Sequence, residues 1–221
     1  MAIEDTLLRQ RKVLAEFGEL ALVSDDLEQI LDEACRLVGA ALETHLAKFM
    51  LLEDDGLTFI VRNGVGWTPD VVGKVRVQAL EGTPERYSLS TSRPVISTDR
   101  ATETRFRYHD FQIRNGVQAF VNVLVYGATE TRPFGIFEVD SRSPRQFSES
   151  DIDFLRGYGN LLGAALRRVN ALQAVRRSAS WMSTHSISPP SRSRSSSLWV
   201  SSAAARWRTA CVPSGTKAAP S

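Results

Sequence analysis

The sequence predicts one α+β domain. Three features carry that expectation: an apolar pattern of helical period at the start, a change to twofold alternation from about Ala47, and a return to helical period after Phe147. They divide the chain into an amphipathic helix over residues 1–23, a folded domain over 24–177, and a tail over 178–221 in which no pattern continues.

In the first segment Ile3, Leu7, Leu14, Phe17 and Ala21 fall at alternating three- and four-residue spacings, with Gln10 in the one polar slot. Ser24-Asp25-Asp26 then supplies N-cap candidates, with Glu28 three residues after Asp25 as in a capping box. Leu27, Ile30, Leu31, Ala34, Leu37, Val38 and Ala41 follow as the broad stripe of a second helix ending near Leu42. Cys35 lies within it and reads as a small buried side chain.

Residues 47–52 and 57–61 alternate around Asp54-Asp55-Gly56, which predicts a hairpin that Asn63-Gly64-Val65-Gly66 should break. Lys74–Val77 predicts a short strand, Thr83–Thr91 a short helix with Pro84 in its first turn, and Pro94–Thr98 an edge strand. Asp99–Asn115 reads as a polar, aromatic-bearing connection. Val117–Tyr126 is apolar on both faces and predicts a central strand, and Phe134–Asp140 predicts another. Ser148 as N-cap, Asp151 at the third helical position and Phe147 stapled to Ile152 open a last helix. Leu155, Tyr158, Leu162, Ala165, Val169 and Leu172 carry it on as a signalling stalk.

The formal charge of +2 is unevenly spread. Five of the 27 basic residues and none of the 25 acidic ones follow Arg177, so the domain is −3 and the tail +5. A mildly acidic domain argues against nucleic-acid binding. No long apolar run predicts a membrane span or a leader, so a cytoplasmic setting is expected. Cys35 and Cys211 are too far apart in sequence and context to suggest a disulfide framework or a metal site. The serine-rich, acid-free tail is expected to be disordered. Its composition also suggests translation in a shifted frame, which resequencing around codon 178 would test.

Arg93-Pro94-Val95-Ile96-Ser97-Thr98-Asp99, Gly116-Val117, Pro133-Phe134-Gly135-Ile136-Phe137-Glu138-Val139 and Pro144-Arg145-Gln146-Phe147-Ser148-Glu149-Ser150-Asp151 occur in that order, and together resemble the GAF domain family, in particular the GAF modules of bacterial sensor histidine kinases. The resemblance spans roughly Leu20 to Val169. It implies a GAF/PAS-like α+β fold: a central antiparallel sheet of five or six strands, terminal helices on one face, and a pocket roofed by loops and short helices on the other. It also implies a homodimer formed through the terminal helices, for which Leu7, Leu14, Phe17, Leu155, Leu162, Val169 and Leu172 are the candidate seam.

Against the family's known activities, Asp99–Val117 holds no cysteine for a covalent bilin, and only Phe147 and Asp151 match the cyclic-nucleotide signature. Two distant cysteines do not supply the clustered thiols of the methionine sulfoxide reductases. In the implied roof, Arg105, Phe106, Tyr108, His109 and Phe111 mix cations, aromatics and an imidazole, and are the candidate ligand-binding residues. Haem ligation by His109 has no second ligand to support it. No catalytic or metal-binding constellation is expected, and the cofactor is left unknown. The function expected is a sensory module that binds a small ligand or partner and relays it through dimeric helices. The alternatives are a ligandless dimerisation domain and a truncated sensor histidine kinase lacking its catalytic part.

Overall fold

The computed structural model describes residues 2–127 and 131–184. Its sheet has six strands in the order β3-β2-β1-β6-β5-β4, and every neighbouring pair is antiparallel. These are β1 (Ala47–Leu52), β2 (Thr58–Val65), β3 (Arg76–Gln78), β4 (Val95–Ser97), β5 (Ala119–Val125) and β6 (Gly135–Ser141). The fold is therefore α+β, with the first and last long strands paired at its centre.

Helices α1 (Ala2–Val23), α2 (Leu27–Ala41) and α5 (Glu149–Thr184) cover one face. Alternation along the strands decides what they meet: Ala47, Phe49, Ala119, Val121, Val123, Phe137 and Val139 pack with Phe17, Leu31, Leu155, Tyr158 and Leu162 in one core. Phe17 stacks on Tyr158 with ring centroids 4.4 Å apart. Gly163 lets α5 approach β5, because a Cβ there would lie 1.9 Å from the Tyr126 carbonyl oxygen.

The start of α5 forms as its sequence predicts. Ser148 Oγ accepts from the Asp151 amide at 3.1 Å, and Asp151 Oδ2 accepts from the Ser148 amide at 3.0 Å. Asp151 Oδ1 accepts from Gln10 Nε2 at 2.8 Å, so the polar slot of α1 is a buried clasp between helices. Arg168, further along α5, donates to Ala21 and Ser24 carbonyls and pairs with Asp25 at 2.8 Å. Helices α1 and α5 thus run parallel.

The other face carries a smaller core of Met50, Leu52, Phe59, Val61, Val71, Val77 and Ile136 under α3 (Pro84–Thr91), α4 (Asp110–Arg114) and the 66–75 segment. Several sequence expectations are corrected. Asn63-Gly64 does not end β2; a register shift opposite Phe49 and Met50 lets the strand run on to Val65, with an extra residue absorbed as a bulge. Asp26, not Asp25, caps α2, accepting from the Glu28 and Gln29 amides. The third strand begins at Arg76 rather than Lys74. The connection before β5 contains α4, whose five residues are too few to show a helical period.

Helix α5 continues through Ser178 to Thr184, seven residues beyond the expected end at Arg177. Nothing from 178 to 184 is glycine or proline, so a helix already nucleated can extend. The expected disorder of residues 185–221 lies outside the described residues.

Candidate functional site

Five strands contribute one row of paired positions to the roofed face: Gly64, Lys48, Glu138, Asn122 and Val95. Lys48, Glu138 and the neighbouring Asp140 are fully buried, at 0% exposure. The Lys48 ammonium donates to Glu138 Oε1 at 2.5 Å and Asp140 Oδ2 at 2.7 Å. It also stands 4.5 Å from the Trp67 ring centroid and 5.5 Å from that of Phe111. The glycine in the row makes this possible, since a Cβ on Gly64 would lie 2.9 Å from Trp67 Cδ1.

Roof and sheet meet through this network. Gln112 on α4 donates Nε2 to Glu138 Oε1 at 3.0 Å, while its Oε1 accepts from the His109 amide at 3.0 Å, which fixes the orientation of the amide. Asn122 Nδ2 donates to Glu138 Oε2 at 3.1 Å, and its Oδ1 accepts from Ser88 on α3 at 2.9 Å. His109 Nε2 lies 3.1 Å from both oxygens of Glu85, tying α4 to α3.

The charges follow from burial and these partners. Burial works against the Lys48 ammonium, but Asp140 and Glu138 outweigh it and raise its pKa. Burial, joined by the charge of Glu138, holds the Asp140 carboxyl well above its usual range despite Lys48. Glu138 goes the other way: burial opposes its charge, yet Lys48 and its hydrogen bonds lower it. One ammonium shared by two carboxyls thus pulls them apart, Glu138 toward the ionised form and Asp140 toward the protonated one. At His109 burial disfavours the charged ring, but the Glu85 hydrogen bond and charge prevail and raise it.

Outside the His109–Glu85 pair, a cavity of about 770 Å³ opens between β3 and the 107–109 segment, lined by Thr58, Val77, Thr83, Arg107 and His109 among others. A larger groove of about 930 Å³ lies between α1 and α2, on the opposite face of the sheet and away from the buried charges.

A sequence model of the GAF domain matches residues 26–166, nearly two thirds of the chain. The chain belongs to the GAF domain family. Its fold matches the GAF domain of an Acinetobacter phosphoenolpyruvate-protein phosphotransferase at 19% identity and a TM-score of 0.63, over 75% of this chain and 97% of that one. The corresponding domain from Coxiella burnetii matches at 16% identity and a TM-score of 0.65, covering 76% and 98%. The free methionine-R-sulfoxide reductase from Neisseria meningitidis, solved with its substrate, matches at 14% identity and 0.61, covering 74% and 91%. No curated protein matches the chain in sequence. Among the described residues no helix is long and apolar enough to cross a membrane.

The roof of this GAF domain places the sequence candidates unequally. Phe111 and His109 lie at the network, Phe111 buried and His109 stacked on it at 6.0 Å. The Tyr108 hydroxyl is within hydrogen-bond distance of Ser97 Oγ and the Gln118 carbonyl, at 2.8 and 3.1 Å, and burial pushes it up to about 12. Arg105 is exposed and already engaged with Glu103, which its hydrogen bond lowers to about 2, and with the Ile96 carbonyl. Phe106 rests against Tyr87 at 5.5 Å, on a separate opening.

Sequence reasoning missed Lys48, Glu138, Asp140, Asn122, Gln112 and Trp67. The strands that carry the first four were expected, but no role was assigned to these polar side chains within them. The available signal was Glu138-Val139-Asp140, two carboxylates on one face of a strand that is otherwise apolar.

The proposed dimer seam is also corrected. Phe17, Leu155, Leu162 and Val169 are fully buried in the domain's own core and Leu14 packs against it, so their period reflects folding onto the sheet. Leu7 and Leu172 alone of that set are exposed.

Proposed function

We propose that this GAF domain is a sensory and regulatory module that takes a small ligand or partner on its roofed face and transmits the change to α5. One observation supports the reading above others: β5 touches both layers. Asn122 on one side holds the roof through Ser88 and Glu138, and Val121, Val123 and Val125 on the other pack in the core that holds α5. A movement of α3 reaches the exit helix through β5, and one of α4 through Glu138 on β6 and then Asn122 on β5. Native mass spectrometry of protein purified without denaturation tests it. A small molecule retained by the folded domain is the expected result, and a bare mass removes the ligand-binding part.

The second reading, a ligandless dimerisation domain, is favoured by the network itself, which is saturated by the chain's own groups. In either case we propose a homodimer, acting without catalysis, nucleic acid or membrane, in the cytoplasm. Its interface is the outer face of the helices: Leu8, Ala15 and Leu22 on α1, and Gly157, Ala164 and Ala171 on α5, each set spaced by seven residues. Leu8 and Leu22 are 62% and 75% exposed. Light scattering should show two chains for the wild type and one for the Leu8→Glu, Leu22→Glu variant, with the fold retained. A chain with kinase activity of its own would incorporate label from ATP; none is expected.

A further inference from the structure

We propose that the roofed face contains a binding site for a primary ammonium group, and that Lys48 occupies it as a tethered stand-in for a free amine. The inference rests on the sensory reading of this face and names its ligand class.

The cage has the composition that ammonium recognition requires. Two carboxyls, Glu138 and Asp140, take N–H donors at 2.5 and 2.7 Å, and the Trp67 and Phe111 rings close the remaining side. As a purely structural layer it is costly. Burying a lysine between two carboxyls incurs desolvation that an apolar set avoids, and the same face of β1 continues as Met50 and Leu52, both in the small core. Gly64 keeps the wall open for the indole, and Gln112 and Asn122 hold the Glu138 carboxylate with independent donors, so it stays oriented whichever ammonium is present.

The cage itself is closed, since Lys48, Glu138 and Asp140 are fully buried, and the His109–Phe111 stack separates it from the nearest opening. Phe111 backs the ammonium and carries His109, and His109 lines the 770 Å³ cavity. An amine that enters by displacing this stack presents its N–H donors to Glu138 and Asp140 while its tail lies toward Val77 and Thr83. A quaternary ammonium has no N–H to give the carboxyls, and an anion is repelled by Glu138. Lys48 therefore sets the affinity threshold, because a free amine must displace a tethered one.

Lys48→Ala removes the part of the side chain equivalent to propylammonium, so propylammonium is the probe. The expected result is a variant destabilised on its own and restored by the amine, its unfolding midpoint rising about 4 °C once the amine exceeds its Kd about tenfold. Propan-1-ol and tetramethylammonium at equal concentration should give no rise. The wild type and Lys48→Met, whose side chains fill the cage, should not respond. If Lys48→Ala is recovered only unfolded, refolding from denaturant into propylammonium becomes the readout: native yield supports the site and its absence overturns it. A Lys48→Ala protein as stable as wild type and indifferent to amines overturns the proposal, as does an equal response from the wild type. A non-basic molecule retained by the wild type, with no rescue of the variant, also overturns it while leaving the sensory reading intact. Rescue of a variant whose wild type is recovered bare supports the ammonium site even as it counts against a resident ligand.

Discussion

On the helical side of the sheet, Ala47, Phe49, Phe137 and Val139 meet Phe17, Tyr158 and Leu162, and apolar contact is the main force between the layers, with polar bonds such as Asn63 to Asp32 at their edge. One residue over on the same strands, Lys48, Glu138 and Asp140 face the roof, where hydrogen bonds and charge hold α3 and α4 in place. The difference teaches which side can move. An apolar layer loses stability in proportion to any gap opened in it, whereas a polar network can exchange one donor for another at little net change if every partner is satisfied. The roofed face is therefore suited to trading contacts, and the helical face to passing on the result.

The largest effect should come from charging the helical side. Leu162→Lys places an ammonium where the structure offers apolar neighbours, at a cost of about 5 kcal/mol or more, comparable with the whole stability of a domain. Circular dichroism should report an unfolded chain. A folded monomer instead would restore Leu162 to the dimer seam and break the comparison.

Next is the roofed side, where direction matters more than size. Glu138→Ala takes from Lys48 one of its two carboxyl partners and from Asn122 and Gln112 their shared acceptor, and should cost about 3–5 kcal/mol in urea unfolding. Replacing Lys48, Glu138 and Asp140 together by Met, Leu and Leu should recover part of that loss, because the desolvation of all three disappears while Gln112 and Asn122 stay without an acceptor. Additive losses in the triple variant would show that this face is held by packing, like the other.

The smallest effect belongs to His109. Its pKa is raised in the fold above the ordinary 6.5, so the Glu85 pair stabilises fully below that pH and its contribution is lost as pH rises through the folded value. His109→Gln should remove this dependence, a change of about 1 kcal/mol, leaving a flatter profile across neutral pH. An unchanged slope would place the titrating group elsewhere.

How far the sequence reaches differs between the two sides as well. The helical stripes, the capping box at Ser148 and Asp151, the short helix after Thr83 and the edge strand at Val95–Ser97 were legible because each depends on neighbours within a few residues. The α+β class and the GAF resemblance followed from their order. Only the register of β1 against β6 and β2 could bring Lys48 opposite Glu138 and Gly64, and no local pattern separates a lysine facing water from one facing two carboxyls. The heptad spacing of Leu155, Leu162 and Val169 was correctly seen and wrongly assigned for the same reason: period shows that a face is apolar, while its partner is chosen by tertiary packing, which here gave it to the chain's own sheet.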